Sequence, residues 1–218
     1  MDTVKELLDL TKTIAAPLFA GKTYPWEVLD GIGDFILALG PTLPPEEYDN
    51  PAEGVWVAKD ARVFPSAYIG APCIIDHEAE IRHCAFIRGS AVVGKNAVVG
   101  NSVELKNVVL FDNVQTPHYN YVGDSVLGYK AHMGAGSITS NVKSDKTPVV
   151  VKGDVEIPTG RKKFGAVLGD FVEVGCNSVL NPGTVIGRHT NIYPVSCVRG
   201  VIPADSIYKG KNDIAAKK

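Results

Sequence analysis

From Val57 onward an aliphatic side chain returns every six residues, at Val57, Val63, Ile69, Ile75, Ile81, Ile87, Val93, Val99 and Leu105. A helix repeats about every 3.6 residues and a strand every two, so neither element alone produces that beat. Two positions ahead of most beats stands a small residue, as at Ala61, Ala67, Cys73, Ala79, Ala85, Ala91 and Ala97. The beat resumes downstream at Leu168, Val174, Leu180, Ile186, Ile192 and Val198. Self-similarity at this period is the signature of a hexapeptide parallel β-helix, so the expected fold is all-β. Its form is a triangular prism with a short strand on each side. The aliphatic beats point inward and the small residues fit where the chain turns. Three hexapeptides close one coil, so residues about 18 apart stack at roughly one strand spacing, about 4.8 Å.

The beat shortens at Leu110 and continues through Thr116, Val122, Leu127, Met133 and Ile138, which marks an interruption of the smooth prism. It then disappears over VKSDKTPVVVKGDVEIPTGRKKFG, residues 142 to 165. That stretch is expected to project as an inserted loop, with a hairpin around Lys152-Gly153-Asp154 read from alternation and the glycine turn. Residues 1 to 45 read as a short helical segment. Thr3 and Glu6 have capping-box spacing, and a second helix runs from Pro25 through Val28, Leu29, Ile32, Phe35, Ile36 and Leu39 to a stop at Gly40-Pro41. LPPEEYDNP, residues 43 to 51, reads as a linker, residues 52 to 203 as the prism, and residues 204 to 218 as a C-terminal tail.

Composition narrows the classes of partner. A formal charge of −2 supplies no broad basic field, which argues against nucleic acid and anionic membrane. Cys73, Cys84, Cys176 and Cys197 form no C-x-x-C pair, so neither a zinc ribbon nor a disulfide framework is expected. MDTVKELLDL contains no apolar run of signal or membrane length, and the expectation is a cytoplasmic protein.

Several polar residues stand out against the aliphatic beat. Arg88 and Lys106 lie one coil apart, each directly after an inward aliphatic. Stacked cations repel, so they either share an anion, such as a phosphate, or stand as a hydrated surface pair. His118 falls in TPHYNYVGD, where the beat is irregular. By type it suits a general base, or else it is a histidine in a solvated turn. Arg161, Lys162 and Lys163 form a basic cluster just before the beat resumes.

GNSVELK (100 to 106), HYNYVGD (118 to 124) and GAGSITSN (134 to 141) resemble one family within the hexapeptide acyltransferases. It is the acetyltransferase domain of bifunctional UDP-N-acetylglucosamine pyrophosphorylase/glucosamine-1-phosphate acetyltransferases, together with the C-terminal half of archaeal sugar-1-phosphate nucleotidyltransferases. The resemblance runs from about residue 50 to 211, and it implies a left-handed β-helix and a homotrimer. It also implies acetyl transfer from acetyl-CoA to an amino-sugar phosphate or nucleotide amino sugar. His118 then matches the base, and Arg88, Lys106 and Tyr121 match positions that hold the sugar phosphate. Asn141 matches a position lining the sugar and acyl site, and Lys146 lies near a substrate-binding lysine. On the cofactor side Ala135 matches the family, while Cys176 stands where serine is usual and Pro194 where alanine is usual. Lys211 keeps the basic character of a position near the cofactor phosphates. N–H groups near GAGS, residues 134 to 137, are candidate donors to a thioester oxyanion.

Where the bacterial enzymes usually have asparagine this chain has His132, which bears on which sugar fits. The 45 residues ahead of the prism are too few for a nucleotidyltransferase domain, so none is expected. Two other readings remain: a non-catalytic scaffold for a separate nucleotidyltransferase, and a gamma-class carbonic anhydrase using three of His77, His83, His118, His132 and His189. Zinc catalysis needs about three protein ligands, and no ligand follows His118 at close spacing, so no metal is expected.

Overall fold

The computed structural model describes residues 2–217 as a parallel β-helix with a short N-terminal segment packed along it. Each coil contributes to three faces. The first face carries Val55–Ala58, Cys73–Ile75, Ala91–Val93, Ala166–Leu168, Thr184–Ile186 and Val201–Ile202. The second carries Glu80–Ile81, Val98–Asn101, Gln115–His118, His132–Met133, Glu173–Val174 and Asn191–Ile192. The third carries Tyr68–Ile69, Phe86–Ile87, Ile138–Thr139, Val179–Leu180 and Cys197–Val198. Glu104–Leu110 and Tyr121–Leu127 run from the third face into the first without a break. All stacking between coils is parallel in register, for example Ile75 on Val57 and Val93 on Ile75.

The inward beats are fully buried from Ile75 to Leu105 and again from Leu168, and they form one continuous core. One beat is displaced: the inward residue of its coil is Thr139, stacked on Leu180, and Ile138 faces outward against Tyr121. The buried Thr139 hydroxyl accepts from Gly123 N–H at 2.9 Å, which satisfies a polar group in an otherwise apolar stack.

Between the second and third faces the turn residue takes a positive φ, as at Ser102 (54°), Tyr119 (52°) and Asn177 (54°). Asparagine tolerates that region; Val195, with φ 58°, is β-branched and is strained there.

Every change of coil length falls at the edge joining the third face to the next first face. Leu105 stacks on Ile87, a step of 18, whereas Val108 stacks on Ala91 and Ser125 on Val108, steps of 17. The first residue is therefore lost between 105 and 108. The second is lost at the same edge one coil later, and the insertion leaves from that edge after Thr139. We call this edge the seam.

The insertion contains the expected hairpin, Val150–Lys152 against Glu156–Pro158. It does not simply project, because Val149, Val151 and Phe164 are fully buried against the prism. The N-terminal segment departs further from expectation. Among its described residues only Val4–Leu7 and Ile32–Leu39 are α-helical, and Pro25–Val28 is a separate 3-10 turn. Gly31 and Gly33 weaken a continuous helix here, and packing on the prism sets the path instead. Phe19 meets Phe111 edge-on at 5.6 Å, Trp26 lies 5.6 Å from Phe164, and buried Asp170 accepts from Asp9 N–H at 2.8 Å. At the other end, residues read as a tail add Ser206–Gly210 to the second face and fold back as Asp213–Ala216.

Candidate active site

The second edge of the prism collects four of the sequence candidates in one column. Tyr119 N–H donates to Asn101 O at 2.9 Å, Gly136 N–H to His118 O at 3.0 Å, Asn177 N–H to Ala135 O at 2.8 Å and Val195 N–H to Cys176 O at 2.8 Å. Asn101, His118, Ala135, Cys176 and Pro194 therefore follow one another up successive coils. The spacings 17, 17, 41 and 18 look unrelated in sequence, and the seam accounts for the irregular ones. His118 is exposed, and among the described residues its imidazole has no hydrogen-bond partner. Its backbone is fixed by Asn120, which is 2% exposed: the side-chain oxygen accepts from His118 N–H at 3.2 Å, and the amide nitrogen donates to Gly134 O at 2.8 Å. Sequence reasoning passed over Asn120, whose short polar side chain suits a tight turn.

The GAGS turn is largely committed to this ladder. Gly134, Gly136 and Ser137 N–H groups donate to Val174, His118 and Gly134 carbonyls. Among the described residues only the Ala135 N–H of the four has no backbone acceptor, so it is the one main-chain donor of this turn left for another group.

A second cluster sits at the seam, across the third face from His118. Lys106 Nζ donates to Asp124 Oδ1 at 2.8 Å, Asn107 to the same oxygen at 3.0 Å, and Asn141 Nδ2 to Asp124 Oδ2 at 2.6 Å. Asn141 also reaches the Tyr121 hydroxyl at 3.1 Å. Asp124 is 2% exposed, so its charge is held by hydrogen bonds and the lysine in place of water. Burial raises the Tyr121 pKa, and the charges of Asp124 and Glu104 add to it against the Asn141 bond and Arg88. The phenol stays protonated and is a donor. Arg88 pairs with Glu104 at 2.9 Å, and that bond raises the guanidinium pKa.

Arg88 and Lys106 are thus stacked as expected, yet each already has a carboxylate. The repulsion inferred from sequence is relieved by Glu104 and Asp124, neither of which had been singled out. Asp124 was within reach of the same reasoning, because it follows Lys106 by the interval that separates Lys106 from Arg88.

The remaining candidates lie apart. His132 is on the second face with Nδ1 2.7 Å from Glu173 Oε2. Lys146 is exposed in the insertion and Lys211 in the final hairpin turn. His83 shares the His118 edge two coils away, about 9.6 Å along the stack at the strand spacing, with Asn101 between them. Among the described residues no three His, Cys, Asp or Glu side chains gather as metal ligands.

The stacked coils and loaded edges define a protein of the hexapeptide-repeat β-helix class. Within it, the chain belongs to the GMPPB C-terminal domain family, whose profile matches residues 69–192. It is 33% identical over 109 residues to the bifunctional protein GlmU of Methanococcus aeolicus, covering 50% of this chain and 26% of that protein. It is 36% identical over 103 residues to a bifunctional sugar-1-phosphate nucleotidylyltransferase/acetyltransferase of Sulfurisphaera tokodaii, covering 46% of this chain and 25% of that protein. The match thus spans about a quarter of these relatives. Among solved structures, a mutant of the N-acyltransferase AntD from Bacillus cereus, in complex with dTDP and coenzyme A, aligns at 17% identity. It covers 79% of this chain and 91% of that one, with a TM-score of 0.36.

Proposed function

We propose that this chain is an acetyl-CoA-dependent N-acetyltransferase acting on a phosphate-bearing amino sugar, and that it works as a cytoplasmic homotrimer. The observation that carries the reading is the pairing of two edges across one face. His118, Ala135, Cys176 and Pro194 form one column, and Arg88, Lys106, Tyr121 and Asn141 gather at the seam opposite. The acetyltransferase named among the relatives supports the reaction class.

In this reading the donor lies along the His118 edge and the sugar phosphate is held at the seam by Arg88, Lys106 and Tyr121. The substrate amine attacks the thioester carbonyl, forming an N–C bond and breaking the C–S bond. His118 accepts the proton that the nitrogen loses, and the departing thiolate is protonated as CoA. The Ala135 N–H faces the developing oxyanion. Asn141 orients Tyr121; His132 and Lys146 are assigned to the substrate and Lys211 to the cofactor, each lying apart from the two clusters within the chain.

The trimer is supported by an outward ladder on the third face, Tyr68, Phe86, Glu104, Tyr121, Ile138, Val179 and Cys197, in which Tyr68 (61%) and Phe86 (43%) are left exposed. Four free thiols suit a reducing compartment. The test is thiol release from acetyl-CoA with glucosamine 1-phosphate and related amino sugars, with sedimentation for the trimer. No thiol release with any amino sugar tested overturns the reading.

A further inference from the structure

The basic cluster of the insertion has no part in the reaction described so far, yet it stands beside the seam. Phe164 N–H donates to Asn141 O at 3.0 Å and Gly165 N–H to Asp124 O at 2.8 Å, so residues 161 to 163 are tied to the two residues that organise the sugar-phosphate cluster. Phe164, fully buried near Trp26, anchors the turn. The result is a cavity of about 480 Å³ whose lining includes Lys106, Asp124, Asp30, Arg161, Lys162 and Lys163.

The charges of this cavity do not cancel. Both lining carboxylates are engaged: Asp30 pairs with Arg161, and Asp124 takes Lys106 together with two asparagine amides. Among the described residues Lys162 and Lys163 have no ion-pair partner. Lys106 belongs to both places, because it stacks on Arg88 and also lines the cavity. An anion held between Arg88 and Lys106 therefore has a second cationic compartment directly beyond it.

The geometry points to a second phosphoryl subsite here: the acceptor is an amino sugar carried on a diphosphate, as in a nucleoside diphosphate sugar, with one phosphoryl group at Arg88 and Lys106 and the other at Lys162 and Lys163. The inference rests on the reading of the seam as the sugar-phosphate site. A single phosphate leaves the two lysines unpaired, whereas a diphosphate spans both compartments with Lys106 between them. CoA also carries a diphosphate, but the positions assigned to it run along the opposite edge.

The test is calorimetric titration of the full chain and of the Lys162→Gln/Lys163→Gln double variant with inorganic pyrophosphate, inorganic phosphate and CoA. Both lysines are exposed, and a melting curve checks that the variant folds. The wild type is expected to bind pyrophosphate at least about tenfold more tightly than phosphate, a preference of about 1.4 kcal/mol or more. The double variant is expected to lose most of that preference while phosphate and CoA affinities change less than about twofold. Equal weakening of all three, weakening confined to CoA, no change, or a wild type without the preference overturns the subsite. Because this readout needs no acetyl transfer, the two readings fail separately. Lysine-dependent pyrophosphate binding without thiol release leaves the subsite standing and removes the acetyltransferase. Thiol release with glucosamine 1-phosphate and lysine-independent binding does the reverse.

Discussion

The main-chain N–H of Gly136 donates to the carbonyl of His118 across 3.0 Å, so the histidine and the GAGS turn ride on adjacent coils of one edge. The imidazole itself bears no load in this ladder. His118→Ala is therefore expected to melt like the wild type while kcat falls by roughly 10²- to 10⁴-fold. Steady-state kinetics beside a melting curve checks both, and wild-type turnover in the variant removes His118 as the base.

Glu104 occupies the guanidinium of Arg88, the group proposed to hold the substrate phosphate. Arg88→Ala is expected to raise KM for the phosphorylated sugar about tenfold, as one charge-assisted contact is lost, with little change for acetyl-CoA. Glu104→Gln, which frees Arg88, should shift the same KM downward. If both substitutions move KM in the same direction, the competition between Glu104 and phosphate is not real.

Gly123 is the contact point of the seam cluster. A Cβ there would run into the Tyr121 hydroxyl and lie 2.9 Å from Asn141 Nδ2. Both clashes are with side-chain ends, so Gly123→Ala should fold, swing Tyr121 aside and raise sugar-substrate KM roughly tenfold. Tyr121→Phe on its own, by removing the displaced hydroxyl, should produce a loss of the same order. A clear difference between the two variants would count against Tyr121 as the residue moved.

Val195 is held at φ 58° directly after Pro194 and is 80% exposed. A left-handed backbone costs a non-glycine residue about 1–2 kcal/mol, and asparagine bears it best. Val195→Asn should therefore stabilise the fold by about 1 kcal/mol in denaturant titration. Weaker CoA binding in the same variant would mark the strained residue as part of the donor groove.

His77 gives the fold a pH dependence away from the site. Burial opposes its charge, but the hydrogen bond and charge of Asp60, with Asp76 and Glu47, prevail and raise its pKa. The proton binds the folded state more tightly than the unfolded chain. The stabilisation is thus fully present below the ordinary histidine value of about 6.5 and is lost as pH rises through the higher folded value. Denaturation between about pH 6 and 8 should show stability falling with pH in the wild type, and His77→Gln should flatten that slope.

The prism was legible because inward positions from Ile75 to Leu105 repeat without exception, and a core of one residue type per beat leaves a periodic trace. Thr139 escaped because the apolar Ile138 beside it takes its place in the series, although six residues beyond Met133 falls on Thr139 and Thr116 already puts a threonine on an inward beat. The N-terminal helix was overcalled because its apolar spacing is real, while the glycines and the prism surface decide its path. At the site, residue type and spacing singled out His118, Arg88 and Lys106 as candidates, and the family resemblance gave them their proposed roles. Asp124 and Asn120 act through hydrogen bonds between coils, and such partners become visible only when the register is known.

Confining all changes of coil length to the seam has a consequence for how this scaffold can vary. The His118 edge keeps a fixed pitch, so in the proposed reading a long donor laid along it meets the same ruler in every variant of the repeat. The seam works as an adjustable stop: residues can be added or removed there without any phase slip on the other edges. If the seam takes the acceptor as proposed, acceptors of different length are accommodated by editing that one side, while the proposed base on the other side stays where it was.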